Sequence, residues 1–223
     1  MKSGTCVLIP SYNEERAIGS IVAALRKRAY TVYVVDDGSV DRTATIAAAE
    51  GAVVVKHEVN KGKGAALREG FAHVLKKGFE RVVIMDGDDQ HEIDDIDAFH
   101  VRMEETGADI VIGSRMHDTV RMPRERIWTN RFMSGLISLI AHQSVPDTQC
   151  GFRLIKTAVL RDIELTSSNY EIESEMIIKA ARHGFRIESV PIETIYRDER
   201  SKINPFIDTL RFFSFLCKTL VSR

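Results

Sequence analysis

Val82-Val83-Ile84-Met85-Asp86-Gly87-Asp88-Asp89-Gln90-His91 is the stretch on which the reading of this chain turns. An apolar run rich in β-branched residues stops abruptly at carboxylates, an amide and an imidazole. A strand buried on both faces reads as such a continuous apolar run. The polar residues at its end then lie at the carboxyl edge of the sheet, where ligands collect in open α/β folds. Asp86, Asp88 and Gln90 alternate, so on an extended segment their side chains share one side. Clustered oxygen ligands suit a hard divalent cation, Mg²⁺ or Mn²⁺, which commonly keeps a phosphate in its shell. The stretch therefore predicts a metal that holds a nucleoside diphosphate. Asp88 and Gln90 are the expected ligands, and Asp86 is expected at the metal or on the nucleotide. Asp89 has no place in this pattern. A plain polar strand end is the competing reading, and four polar groups directly after the apolar run weigh against it.

Outward from this stretch the chain alternates strands with helices. Strands are predicted at Thr5–Ile9 (ended by Pro10), Thr31–Val35, Ala52–Val55, Arg81–Met85 and Asp109–Ile112. Helices are predicted at Glu14–Lys27 with Asn13 as cap, from Asp41 as cap through Ala49, and at Ala65–Lys76 and Ile93–Glu105. This order predicts a mostly parallel sheet with helices on both faces. Beyond Arg115 the character changes. His117–Arg126 is charged, Ile127–Ala141 is an apolar helix, and Phe152–Ile155 is a strand. Tyr170–His183 is an amphipathic helix, followed by strands at Phe185–Val190 and Ile192–Tyr196. Residues 1–202 are read as one domain. Asn204-Pro205 opens a C-terminal amphipathic helix over 203–223, suited to packing, dimerisation or a membrane surface.

Composition narrows the class. The 223 residues carry 31 basic and 32 acidic side chains, a balance unlike that of a nucleic-acid binder. Three cysteines, Cys6, Cys150 and Cys217, stand at unrelated spacings and predict a reducing, cytoplasmic setting without disulfides. No secretory leader is expected before the first strand. Phe132–Pro146 is the longest apolar stretch and is shorter than the ~18 residues a membrane span needs.

Further polar motifs sit at strand ends. Pro10-Ser11-Tyr12-Asn13-Glu14 offers a flat ring and hydrogen-bonding groups for a base or ribose, or simply a strand end and a helix cap. Asp36-Asp37-Gly38-Ser39 places two acids in different directions, one for a ligand and one for the turn. Asn60-Lys61-Gly62-Lys63-Gly64 has the glycines and cations of a phosphate loop but is neither a Walker A loop nor a dinucleotide fingerprint. Gly113-Ser114-Arg115 carries a cation that suits a phosphate or a surface ion pair. Asp147-Thr148-Gln149-Cys150-Gly151-Phe152-Arg153 combines a turn, an apolar plug and a cation. Glu171, Glu173 and Glu175 cannot all face one side of a helix.

Taken in order, these motifs closely resemble the family 2 inverting glycosyltransferases of GT-A fold, from about Val7 to Lys202. Within that family they look most like the dolichyl- and polyprenyl-phosphate mannose and glucose synthases. The resemblance implies a nucleoside pocket of Pro10, Tyr12, Asn13, Glu14 and Asp37, supported by Asp36, with Lys63 near base and ribose. It implies Asp86 on the nucleotide, Asp88 and Gln90 on Mg²⁺ or Mn²⁺, and Arg115 and Arg131 toward the acceptor or sugar. Arg197 and Lys202 are placed on a closing loop, and Glu173 or Glu175 is the general base if the acceptor is a hydroxyl. The donor it implies is GDP-mannose or UDP-glucose, and the acceptor a polyprenyl phosphate at a cytoplasmic membrane face. A sugar nucleotidyltransferase and a non-catalytic sugar-nucleotide binder are the alternatives from other classes. Asp89 departs from the family, which often has a small or apolar residue there.

Overall fold

Short runs of β-branched residues form the strands, and helices with one apolar stripe cover them. The computed structural model describes residues 4–117, 119, 122–193, 211, 212 and 214–216. Its strands are β1 (Thr5–Ser11), β2 (Thr31–Asp36), β3 (Val53–Lys56), β4 (Arg81–Ile84), β5 (Ile110–Ser114), β6 (Arg153–Lys156) and β7 (Ile187–Pro191). They make one seven-stranded sheet in the order β3-β2-β1-β4-β6-β5-β7. The helices are α1 (Ile18–Lys27), α2 (Thr43–Ala49), α3 (Lys63–Lys76), α4 (Asp95–Thr106), α5 (Arg124–Ala141), α6 (Thr157–Asp162) and α7 (Ile172–Arg182). The expected α/β architecture is what the chain adopts.

Pairing is parallel except at β6, which runs antiparallel to both β4 and β5. This reversal positions the site. Arg153, the first residue of β6, pairs with Ile84 near the carboxyl end of β4 and with Ile112 of β5. The segment before it, 147–152, is thereby delivered to the edge that carries Asp86 and Arg115.

Several boundaries differ from the sequence reading for identifiable reasons. Pro10 does not end β1 but pairs within it, opposite Val35. Leu8 turns its carbonyl to the β4 side, where it accepts from Met85 N at 3.2 Å. Two residues on, the missing N–H of Pro10 faces the same side, beyond the end of β4, so no ladder bond is lost. Asn13 does not cap α1. Its backbone is left-handed (φ 53°), its N–H donates to Ser39 Oγ at 2.9 Å, and its side-chain oxygen accepts from Val40 N at 3.0 Å. It therefore ties two loops together, and α1 begins at Ile18. Asp41 does accept the Thr43 amide at 3.0 Å. Helix α6 had no sequence signal, being six residues long.

Helix α7 buries the expected apolar face of Ile172, Met176, Ile177 and Ala180, and its enclosure is wider than that face, since Ile172 to Ile178 are all buried, Glu173 and Glu175 included. Those acids are inside because both are paired. Expectations for Arg197, Lys202, residues 194–196 and Asn204-Pro205 fall outside the described residues. In the 203–223 segment, the described residues Arg211, Phe212 and 214–216 are helical, and Phe212 and Leu216 are buried.

Helix α3 lies close on the sheet because Gly70 has no side chain. A Cβ there would meet Leu8 Cδ1 at 2.4 Å, and Leu8 is fully enclosed in the core. Gly70→Ala is expected to lower unfolding free energy by about 1–3 kcal/mol, read by urea denaturation.

Candidate active site

The chain leaves β4 at Ile84 and turns. Asp89 has φ 57°, a left-handed conformation that Asp and Asn tolerate better than most residues. Gln90 N donates to Asp88 Oδ1 at 3.2 Å. The segment is thus a tight turn, and extended alternation does not apply to Asp86, Asp88 and Gln90. The turn also accounts for Asp89, which sits where the backbone reverses. Gly87 lets the turn press on the end of β1, since a Cβ would lie 2.8 Å from Ser11 Oγ.

Asp86 meets a cation from α3. Lys63 Nζ lies 2.6 Å from Asp86 Oδ1 and 2.7 Å from Glu173 Oε1 on α7. Burial pushes the Asp86 carboxyl up, but the adjacent ammonium outweighs it and holds the group well below the usual carboxylate range. Burial likewise opposes the charge on Lys63, and Asp86 and Glu173 together raise its pKa above that of an ordinary lysine. Lys63 therefore joins the acid cluster through Asp86 and Glu173. Gly151 makes room for the ion pair, because a Cβ there would stand 2.5 Å from Asp86 Oδ2 and 2.9 Å from Lys63 Nζ.

Arg153 fixes the segment that carries Gly151. Its guanidinium, 1% exposed as a residue, donates to Cys150 O, Glu173 O and Thr148 O at 2.8, 2.8 and 2.9 Å. Its Nη2 also lies 3.7 Å from Glu173 Oε2. Cys150 is fully buried, and burial pushes its thiol up to about 12, so it packs rather than reacts. His91, which the motif analysis left without a role, is buried, stacks on Phe152 at 4.9 Å and approaches Asp86 Oδ2 at 3.9 Å.

Arg115 is clasped by Asp147. Its Nε and Nη2 donate to the two carboxylate oxygens at 2.7 and 2.9 Å, and its backbone N–H donates at 3.2 Å. Burial disfavours the guanidinium charge, and the Asp147 hydrogen bonds raise its pKa beyond the ordinary value. Arg131 is exposed on α5.

Glu175 points elsewhere than Glu173. Its carboxylate accepts from Thr166 N at 3.0 Å, Thr166 Oγ1 at 2.8 Å, Ser167 N at 2.8 Å and Lys179 Nζ at 2.7 Å. These bonds hold the 166–168 loop, whose Ser168 O in turn accepts Ala65 N in the first turn of α3 at 3.1 Å. Glu175 thus shapes the site through a loop.

The nucleoside side is built at the ends of β1 and β2. Tyr12, Asn13 and Glu14 are half-buried there, and Glu14 N donates to Thr43 Oγ1 at 2.8 Å. Asp36 is enclosed, and its Oδ1 accepts Ser39 N at 3.1 Å, closing the turn. Asp37 accepts Lys61 N at 2.9 Å and Gly62 N at 2.8 Å. The two acids do diverge, one to the turn and the other to the phosphate-loop motif.

A divalent cation fits this edge. Burial and the neighbouring charge of Asp86 both push the Asp88 carboxyl up, so a cation there would relieve the repulsion. Among the described residues no group of three or more His, Cys, Asp or Glu is placed to hold a metal ion. A Mg²⁺-like ion characteristically takes one or two carboxylates and completes its shell with substrate phosphates and water.

The sequence model of glycosyl transferase family 2 matches residues 6–164. The chain belongs to this family and is a glycosyltransferase with a GT-A-type fold. Among its relatives is an uncharacterised protein of Methanocaldococcus jannaschii, 36% identical over 198 residues that cover 86% of this chain and 82% of that one. The dolichyl-phosphate hexose transferase of Haloferax volcanii is 35% identical over 205 residues, covering 90% of this chain and 86% of that one. Among solved structures, glucosyl-3-phosphoglycerate synthase from Mycobacterium tuberculosis, in complex with Mg²⁺ and uridine diphosphate, superposes with a TM-score of 0.71. At 20% identity, covering 98% of this chain and 78% of that one, it shows the fold alone.

The buried bonds of Glu175 are expected to carry stability. Its pKa is lowered: burial opposes the charge, but Lys179 and the 166–167 donors outweigh it. A lowered folded pKa stabilises at pH above the unfolded value near 4.5, and that share is lost as pH falls through the folded value. Glu175→Gln is expected to cost about 1–3 kcal/mol at pH 7 in thermal melts and to flatten the acid limb of the stability curve.

Proposed function

We propose that the chain transfers a hexose, with inversion, from a nucleoside-diphosphate sugar to a polyprenyl phosphate, using Mg²⁺ or Mn²⁺. The observation that carries this reading is that both candidate general bases are occupied. Glu173 is held by Lys63 at 2.7 Å, and Glu175 is consumed by Thr166, Ser167 and Lys179. A hydroxyl acceptor needs a carboxylate to take its proton. A phosphate acceptor is already anionic near neutral pH and needs none. The name of the Haloferax volcanii relative points to the same class of acceptor. Membership of the family sets aside the nucleotidyltransferase and the non-catalytic binder.

In this reading an acceptor oxygen attacks the anomeric carbon while the bond to the departing diphosphate breaks. Tyr12, Asn13 and Glu14, with Pro10 shaping the backbone, line the nucleoside pocket together with Asp37, and Asp36 supports it. Asp88 and Gln90, with Asp86 adjacent, would hold the cation, which when bound neutralises charge on the leaving group. Lys63 keeps Asp86 and Glu173 from repelling each other and sets their spacing. Arg115, oriented by Asp147, adds positive potential on the acceptor side. Arg131, Arg197 and Lys202 are assigned to acceptor binding and closure.

Helix α5 supports a membrane-borne acceptor. Trp128, Phe132 and Leu139 are 74%, 63% and 70% exposed. At four and seven residues apart they form one stripe, opposite the buried Asn130, Ser134, Ile137 and Ala141. Arg124 and Arg131 flank that stripe on the same side by helical spacing and are exposed. An aromatic and apolar face edged by arginines suits the surface of an anionic bilayer. Among the described residues no helix is long and apolar enough to cross a membrane. The proposed placement is at the cytoplasmic membrane face, with α5 toward the lipid. The buried Phe212 and Leu216 favour packing of the C-terminal segment on its own domain, leaving α5 as the contact.

Two measurements test this reading. With polyprenyl phosphate as acceptor, Glu173→Gln should keep turnover within about tenfold of wild type, whereas loss of a true general base costs ~10²–10⁴-fold. Flotation with liposomes containing anionic lipid should recover the wild type, and the Trp128→Glu/Phe132→Glu variant should stay behind. Equal flotation of the two removes α5 as the contact.

A further inference from the structure

The connection from β3 to α3 contains a buried histidine. His57 is 3% exposed and follows the last residue of β3. Its backbone N–H donates to Asp36 O at 2.9 Å, which fixes the residue against the end of β2. Its ring lies between two acids. Nδ1 is 2.7 Å from Asp37 Oδ1, and Nε2 is 2.7 Å from Glu69 Oε2 on α3. Both ring nitrogens are thus engaged by acid side chains, the buried Asp37 and Glu69, whose side chain is 41% exposed. Lys56, the preceding residue, sits 3.9 Å from Asp36 and balances the other acid of the pair.

The same Asp37 carboxylate that receives His57 also receives the amides of Lys61 and Gly62. Those amides lead directly into Lys63 and the first turn of α3. The 36–39 turn closes on this loop as well, since a Cβ on Gly38 would lie 2.5 Å from Val59 C. Asp37 therefore sets the path of residues 59–62, and His57 sets Asp37.

We propose that His57, held between Asp37 and Glu69, is a positioning residue for the nucleoside-diphosphate donor. It clips Asp37 to α3 through Glu69 and so holds the 60–62 loop in the shape that receives the donor. This rests on the donor reading above. His57 does not touch the substrate and acts through Asp37.

The test combines three readouts on the full chain. His57→Gln should speed hydrogen exchange at the Lys61 and Gly62 amides. It should also weaken binding of UDP or GDP with Mn²⁺ by roughly 10-fold in calorimetry, as loss of an outer partner of a site residue typically does. It should raise the donor KM while leaving kcat within about twofold. Should His57→Gln fail to fold, Glu69→Ala removes only the outer contact and is expected to move exchange and affinity the same way by a smaller factor. Unchanged exchange and affinity in the folded variant overturn the proposal. If the wild type binds neither UDP nor GDP, the donor reading fails and the positioning role falls with it. The amide exchange then reports separately whether the clip exists.

Discussion

One ammonium joins the two halves of this molecule. Lys63 reaches from the start of α3 to Asp86 after β4 and to Glu173 on α7, at 2.6 and 2.7 Å. Without it, the buried Glu173 and the half-buried Asp86 would face each other at the edge of the sheet, where repulsion and desolvation both disfavour charge. With it, the donor-side acids and the acceptor-side helix share a single internal counter-ion. A buried pair that loses one partner typically costs several kcal/mol, so the geometry around Lys63 is tightly determined.

That geometry depends on the reversal of β6. Had the strand entered parallel, residues 147–152 would begin at the opposite edge of the sheet. Antiparallel insertion instead places Gly151 against the Lys63–Asp86 pair and sets Asp147 beside Arg115. Arg153 then ties the segment to α7 through three carbonyl groups. A fully buried guanidinium with directed acceptors is a stiff joint, because each N–H that lost its partner would be left desolvated.

Support also runs from the outside inward. Glu175 holds the 166–167 amides, Ser168 caps α3, and Asp37 holds the 61–62 amides on the other side. Lys63 is thus fixed from two sides before any substrate arrives. This is preorganisation: the cost of ordering the site is met during folding and not during binding.

Much of this protein was legible in its sequence. Apolar runs ending in acids specified buried strands and a polar carboxyl edge, because periodicity and abrupt polarity changes are local properties. The motif order from Pro10 to Arg153 specified the family. The sequence could not supply pairings distant along the chain. Lys63 with Glu173, Arg115 with Asp147 and His57 with Asp37 depend on strand order and the direction of β6. Nor could it reveal that 86–90 turns at Asp89 rather than extending, or that Glu173 pairs with Lys63 while Glu175 holds the 166–167 loop. Those facts follow from burial, since an enclosed charge takes whichever partner the fold brings within reach.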